Sequence, residues 1–152
     1  MSTREEGSTL TAPVTPDGYD LEAQVGFLLR KAQQRHLAIF TALIAEDLTP
    51  MQFAALAKLN EVGPCSQNSL GRQTAMDVAT IKGVVARLKG RGLVDKAGNP
   101  ADRRMHLITL TESGRALVRK VLPTALRISE RTLEPLSAEE KVTFMRLLEK
   151  IT

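Results

Sequence analysis

The apolar residues of this chain keep a helical spacing up to Gly90, abandon it once, and then resume it. Leu93 and Val94 open a stretch of alternating character, Gly98-Asn99-Pro100 is a strong turn signal, and Met105 to Leu110 alternates as a returning strand. One hairpin is therefore set into an otherwise helical chain. That restricts the fold to a mainly α architecture with a small β-hairpin, whose tip carries Asp102, Arg103 and Arg104.

The helices announce themselves by stripe and cap. Leu21, Val25, Leu28, Leu29, Ala32, Ile39, Phe40, Leu43 and Ile44 recur at spacings of three and four, and only His36 interrupts them. A long first helix is expected over about 19–46. Thr49, Pro50 and Gln52 form a capping box with proline at the first helical position, and that helix should stop at Gly63-Pro64. Ser66 caps a short helix to about Gln73, and after a brief connection Asp77 caps another. In this last helix Ile81, Val84, Val85 and Leu88 make the apolar face, leaving Ala79, Thr80, Lys82, Gly83, Ala86 and Arg87 on or near the opposite side. Beyond the hairpin, Thr111 caps a long helix in which Pro123 should introduce a kink. Ser137 and Glu140 form a second capping box before Val142, Met145, Leu148 and Ile151. Residues 1–18 are polar and proline-containing, and a flexible tail is expected there.

At 152 residues the chain suffices for about one domain, expected over 19–152, and its balance of 43% hydrophobic and 25% charged residues excludes global disorder. Aromatic residues are 3%, with no tryptophan, so the core must be aliphatic and an aromatic base-stacking platform is disfavoured. The longest apolar run, Leu37 to Ala45, is too short for the roughly 18 residues of a membrane span, and no secretory signal opens the chain. A cytoplasmic location is expected. Cys65 is the single cysteine, and His36 and His106, the two histidines, fall far apart in the expected fold. Neither a metal site nor a cofactor is expected. With no glycine-rich phosphate loop and no nucleophile elbow, the chain does not read as an enzyme.

Charge is concentrated in the middle. Residues 66–104 carry eight basic side chains against three acidic ones, whereas residues 1–65 are net acidic. On charge alone this segment is either a solvated helix face or a polyanion-binding surface. Two short helices joined by a tight turn, followed by a hairpin with a basic tip, read as a winged helix-turn-helix over about 49–122. Small or polar residues such as Ala79, Thr80, Lys82 and Gly83 let a helix approach base edges closely in the major groove, with Arg87 on the same side. Ser66 and Gln67 open the preceding helix, where they are placed for phosphate contacts. Arg103 or Arg104 could reach the minor groove, with Asp102 orienting one of them.

The stretch Leu88 to Gly114 carries a more specific signal. Its Leu-Lys-Gly-Arg-Gly-Leu-Val run, its Asn99-Pro100-Ala101-Asp102-Arg103-Arg104 wing and its Leu110-Thr111-Glu112-Ser113-Gly114 helix opening resemble the MarR family of regulators. The resemblance spans about Tyr19 to Thr152. It implies a homodimer with dimerisation helices at about 19–46 and 123–152, and two recognition helices in successive major grooves of a palindromic operator in double-stranded DNA. The apolar stripes at both chain ends independently call for a partner surface. Gly83 stands where the family often carries a larger polar or basic residue, and Lys96 follows Asp95 where arginine is common, so base specificity does not carry over.

Regulators of this family are commonly released from DNA by small aromatic acids or by cysteine oxidation. Cys65 lies between the second and third helices with no cation nearby in sequence, which makes an inert thiol the expectation and oxidation through Cys65 the alternative. His36, with Gln33 and Arg35 close by, is either a hydrogen-bonded core or interface residue or a cleft residue meeting an aromatic carboxylate. In the second case Met51 and Phe53 supply the apolar wall. The runs Ala75 to Val85 and Gly63 to Gln67 are similar to regulators of nicotinate catabolism within the family, which implies a hydroxylated pyridine carboxylate as effector. A winged helix serving only protein interactions would leave the basic wing idle.

Overall fold

A computed structural model describes residues 15–152. Most of the tail expected at 1–18 therefore lies outside the described residues. Six helices and three short strands follow one another: α1 (Val25–Leu43), α2 (Pro50–Val62), β1 (Cys65–Ser66), α3 (Gln67–Gln73), α4 (Val78–Gly90), β2 (Val94–Asn99), β3 (Asp102–Leu110), α5 (Glu112–Leu133) and α6 (Ala138–Glu149). Two compact units are distinguished, one ending at Arg35 and one spanning His36–Thr152.

In the first unit the helix starts six residues later than the apolar stripe suggests. The Asp20 carboxylate accepts the Glu22 backbone N–H at 3.0 Å, and the Gln24 side chain donates to the Asp20 carbonyl at 2.8 Å. These local bonds hold Asp20 to Gln24 in turns and compete with helix formation. Tyr19 and Leu21 are consequently exposed and take no part in the core.

The second unit contains the core. Leu56, Leu70, Ile81, Val85, Leu88, Val94, Ile108, Val118 and Val121 are fully buried, so helices α2 to α5 close over an aliphatic interior. Phe40 is the one aromatic ring in that buried set, and Phe53 packs against it with ring centroids 6.3 Å apart. The helix caps form as expected. Thr49 and Gln52 bond reciprocally at the start of α2, Ser137 and Glu140 do the same at α6, and Ser66, Asp77 and Thr111 each accept a backbone N–H three residues on. α5 runs unbroken through Pro123.

The hairpin is not two-stranded but part of a three-stranded antiparallel sheet of order β1-β3-β2. Cys65 pairs with Ile108 and Ser66 with Leu107. This pairing anchors the base of the wing to the loop that feeds α3. A strand of two residues has no periodicity to detect, which is why the sequence does not reveal it.

Close approach fixes the junctions. Gly114 lies in the first turn of α5 directly over Leu93, where a Cβ would fall on the Leu93 carbonyl oxygen. Thr111 reinforces this contact by donating from its backbone to the Leu93 carbonyl at 3.1 Å and from its hydroxyl to the Gly92 carbonyl at 2.7 Å. The end of α4, the start of β2 and the start of α5 are thereby held at one point, and with them the position of the wing.

Candidate nucleic-acid interface

Helix α4 starts from a well-defined turn. Gly71 of α3 faces Ile81 so closely that a Cβ would meet the Ile81 Cγ2 at 3.0 Å and the Met76 carbonyl at 3.2 Å. Ala75 adopts φ of 54°, the left-handed conformation that reverses the chain between the two helices. Asp77 then caps α4 by accepting the Thr80 N–H at 2.7 Å, and these hydrogen bonds hold its carboxyl below the usual aspartate range.

Ile81, Val84, Val85 and Leu88 are buried, which turns Ala79, Lys82, Ala86 and Arg87 outward. Thr80 and Gly83 are only half-exposed, a departure from the expected open face. At Gly83 the reason is visible: the Arg87 Nη1 would lie 3.7 Å from a Cβ there, so the arginine one turn on covers the glycine. Val78, absent from the expected contact residues, is 69% exposed at the first position of the helix. An apolar side chain in the first turn of an exposed helix face was legible in the sequence, although the stripe argument assigns valine to the core.

At α3 the expectation is partly revised. Ser66 is half-buried within β1 and its hydroxyl oxygen accepts the Ser69 N–H at 3.2 Å, while Gln67 is also half-buried. Asn68 and Arg72, which the sequence reading did not select, are the exposed polar residues of this helix, together with Gln73. They line a cavity of about 330 Å³ with Asp77 and Val78 between α3 and α4.

The wing tip is shaped by two aspartate-type turns. Asn99 accepts the Ala101 N–H, and Asp102 accepts the Arg104 N–H, each at 3.0 Å. Asp102 was expected to orient an arginine side chain. It instead fixes the Arg104 backbone, and among the described residues no carboxylate forms an ion pair with Arg103 or Arg104. Both guanidinium groups are exposed, so their charge faces solvent uncompensated.

The residues considered for an effector are distributed as follows. Gln33 and Arg35 are exposed on the part of α1 in the first unit. In the second unit Met51 is 51% exposed, and Phe53 turns its ring to Phe40. His36 is half-buried with Nδ1 2.9 Å from the Thr132 Oγ1. The same hydroxyl lies 2.8 Å from the Ile128 carbonyl oxygen, a contact that takes its single proton. His36 therefore donates through Nδ1, and Nε2 remains as the second hydrogen-bonding position of the ring.

Cys65 is half-buried, and burial pushes its thiol up from the ordinary value. Among the described residues no group of three or more His, Cys, Asp or Glu side chains is placed to hold a metal ion. No helix there is long and apolar enough to cross a membrane.

Comparison with known proteins agrees with this architecture. The signature of the MarR family matches residues 46–105, the span from the loop before α2 to the wing. The chain is 46% identical over 142 residues to the HTH-type transcriptional repressor NicR of Pseudomonas putida, covering 93% of this chain and 90% of that protein. Among solved structures, a probable transcriptional regulator from Pseudomonas aeruginosa superposes with a TM-score of 0.86 at 48% identity, covering 88% of this chain and 100% of the other. BpsR of Bordetella bronchiseptica, whose DNA binding is regulated by 6-hydroxynicotinic acid, superposes with a TM-score of 0.84 at 45% identity, covering 88% and 96%. The chain belongs to the MarR family of helix-turn-helix transcriptional regulators.

Proposed function

We propose that this chain is a ligand-responsive transcriptional repressor that binds palindromic operator DNA as a homodimer and is released by a small aromatic acid of the hydroxynicotinate type. The observation that carries the DNA reading is the juxtaposition of an outward-facing α4 with a wing whose two arginines have no internal ion-pair partner. Ala79, Thr80, Lys82 and Gly83 supply base-edge contacts in the major groove, and Asn68, Arg72 and Arg87 supply phosphate contacts. Arg103 and Arg104 reach the adjacent backbone or minor groove.

Homodimerisation is supported by apolar surface that one copy leaves uncovered. α6 contains no buried residue, and its Val142 is 71% exposed, in line with Leu126 of α5 at 69%. Phe144, Met145, Leu147 and Ile151 extend this surface, and burying it against a second copy removes a patch that a monomer would not sustain.

The effector assignment rests on the likeness to BpsR and NicR and on the chemistry around His36. With Nδ1 committed to Thr132, Nε2 is positioned to meet a ring hydroxyl or carboxylate, and Phe53 offers a neighbouring apolar surface. Release requires only that the acid favour a spacing of the two recognition helices that mismatches the operator, and about 1.4 kcal/mol of differential affinity changes binding tenfold. The redox alternative is disfavoured because the thiol of Cys65 is held protonated by burial. The test is fluorescence anisotropy with duplex DNA from upstream of the gene encoding the chain, with and without 6-hydroxynicotinic acid. Salt-sensitive binding that the acid relieves supports the proposal, and sedimentation of the protein as a monomer would remove the dimer from it.

A further inference from the structure

Among the eight basic residues of the 66–104 segment, Arg91 alone turns its guanidinium to backbone carbonyls of another element, among the hydrogen bonds of the described residues. Nη1 donates to the Asp47 carbonyl at 2.8 Å and Nη2 to the Glu46 carbonyl at 3.0 Å. These are successive carbonyls in the loop between α1 and α2. The planar fork of arginine suits such a pair, whereas a lysine ammonium is a point donor on a flexible stem.

Both ends of this clamp are set. Arg91 is the C-cap of α4, and the helix closes on it with Leu93 N–H to the Leu88 carbonyl at 3.0 Å and Gly92 N–H to the Lys89 carbonyl at 2.9 Å. Gly92 takes φ of 72° to allow this paired closure, so the direction in which Arg91 leaves the helix is defined. At the other end Asp47 has φ of 52°, a left-handed conformation that costs a non-glycine residue about 1 kcal/mol and needs external support. Glu46, its neighbour, is in turn approached by Lys120 of α5 at 3.6 Å. The loop leads directly into Leu48, which is buried, and into the capping box of α2.

We propose that Arg91 is a positioning residue for DNA binding: it straps the α1–α2 loop to the C-terminal end of the recognition helix and so fixes how α4 is presented, instead of neutralising a phosphate. The inference rests on the DNA-binding reading above, but the strap itself is a property of the folded chain. It separates Arg91 from the cations around it, which count toward the electrostatics of the interface.

The experiment compares Arg91→Ala, Arg91→Lys and Asp47→Gly, alone and with Arg91→Ala, in the full chain. Hydrogen exchange across residues 44–49 should rise about tenfold in Arg91→Ala and in Arg91→Lys, because an ammonium does not bridge two carbonyls in the same plane. Affinity for the duplex upstream of its own gene should fall about tenfold in both, with the dependence on salt unchanged. Glycine adopts the left-handed conformation without strain, so adding Asp47→Gly to Arg91→Ala should recover part of the affinity. If Arg91→Lys restores affinity, and Arg91→Ala flattens the salt dependence by about the 0.9 expected per lost phosphate contact, Arg91 is a phosphate ligand and the proposal is wrong. Unchanged loop exchange in Arg91→Ala would also overturn it. Should the wild-type chain bind no DNA, the DNA reading fails while the exchange measurement still decides whether the strap exists.

Discussion

Replacing Arg104 by alanine tests the wing most directly. The side chain is exposed and forms no ion pair among the described residues, and Asp102 bonds to its backbone N–H, which alanine retains. Folding stability should therefore change by no more than about 0.5 kcal/mol. In a homodimer each substitution removes two cations from the interface. With a slope of about −0.9 in log affinity against log salt for each phosphate neutralised, the dependence should flatten by about 1.8. Between roughly 50 and 200 mM salt, the wild-type affinity should then drop about 12-fold more than that of the variant. Anisotropy titrations at four salt concentrations resolve a difference of that size. Asp102→Ala is the companion, since it loosens the tip without removing a cation, and it should lower affinity with the slope intact. A slope identical to wild type in Arg104→Ala, and again in the double variant Arg103→Ala with Arg104→Ala, would refute the assignment of the wing to the DNA surface.

Other consequences are equally concrete. Gly114→Ala places a methyl group on the Leu93 carbonyl and should cost about 3 kcal/mol, lowering Tm by on the order of 10 °C. Gly90→Ala, where a Cβ meets nothing within 4 Å, should instead stabilise by about 0.5 kcal/mol. In site-selection experiments Thr80→Ala and Lys82→Ala should alter the preferred bases, and an unaltered preference in Thr80→Ala would count against contacts from that face. Because hydrogen bonding lowers the Asp77 carboxyl, its stabilising effect is complete above the ordinary aspartate range near pH 4 and lost as pH falls through the lowered value. Asp77→Asn, which keeps a capping oxygen, should make unfolding less pH-dependent in that acidic window. Cys65→Ser should leave DNA binding and its response to peroxide unchanged, and Cys65 should react with thiol reagents at pH 8 more slowly than free cysteine.

The helices of this fold were legible because their ends are encoded locally. A capping side chain needs only a partner three residues away, so Thr49, Ser66, Asp77, Thr111 and Ser137 can each be read without tertiary information, and each forms its bond. The buried face of α4 was legible for a similar reason, since Ile81, Val84, Val85 and Leu88 repeat on one side of a helix whatever covers them. Where periodicity had no competitor it placed elements correctly. At the start of α1 it had one: the stripe continues back to Leu21, but the Asp20 carboxylate captures the Glu22 N–H and the helix waits until Val25. β1 was invisible because two residues become a strand only when Ile108 and Leu107 are alongside.

The interface itself was less legible than the fold, because residue type does not reveal how a side chain's hydrogen bonds are distributed. Arg87, Arg91 and Arg104 are equivalent in a charge count. In three dimensions Arg87 lies over Gly83, Arg91 bonds two carbonyls of the α1–α2 loop, and Arg104 extends from a tip whose aspartate is engaged with the backbone. Asp102, which sequence reasoning pairs with an arginine, leaves both wing guanidinium groups uncompensated, and that raises the positive potential at the tip. Arg91 adds its charge to the same field but, with its guanidinium donating to backbone carbonyls, should displace no counterion when DNA binds. A salt slope computed from all eight cations of the segment would therefore overestimate the measured one, and the discrepancy should come from Arg91 before any residue of the wing.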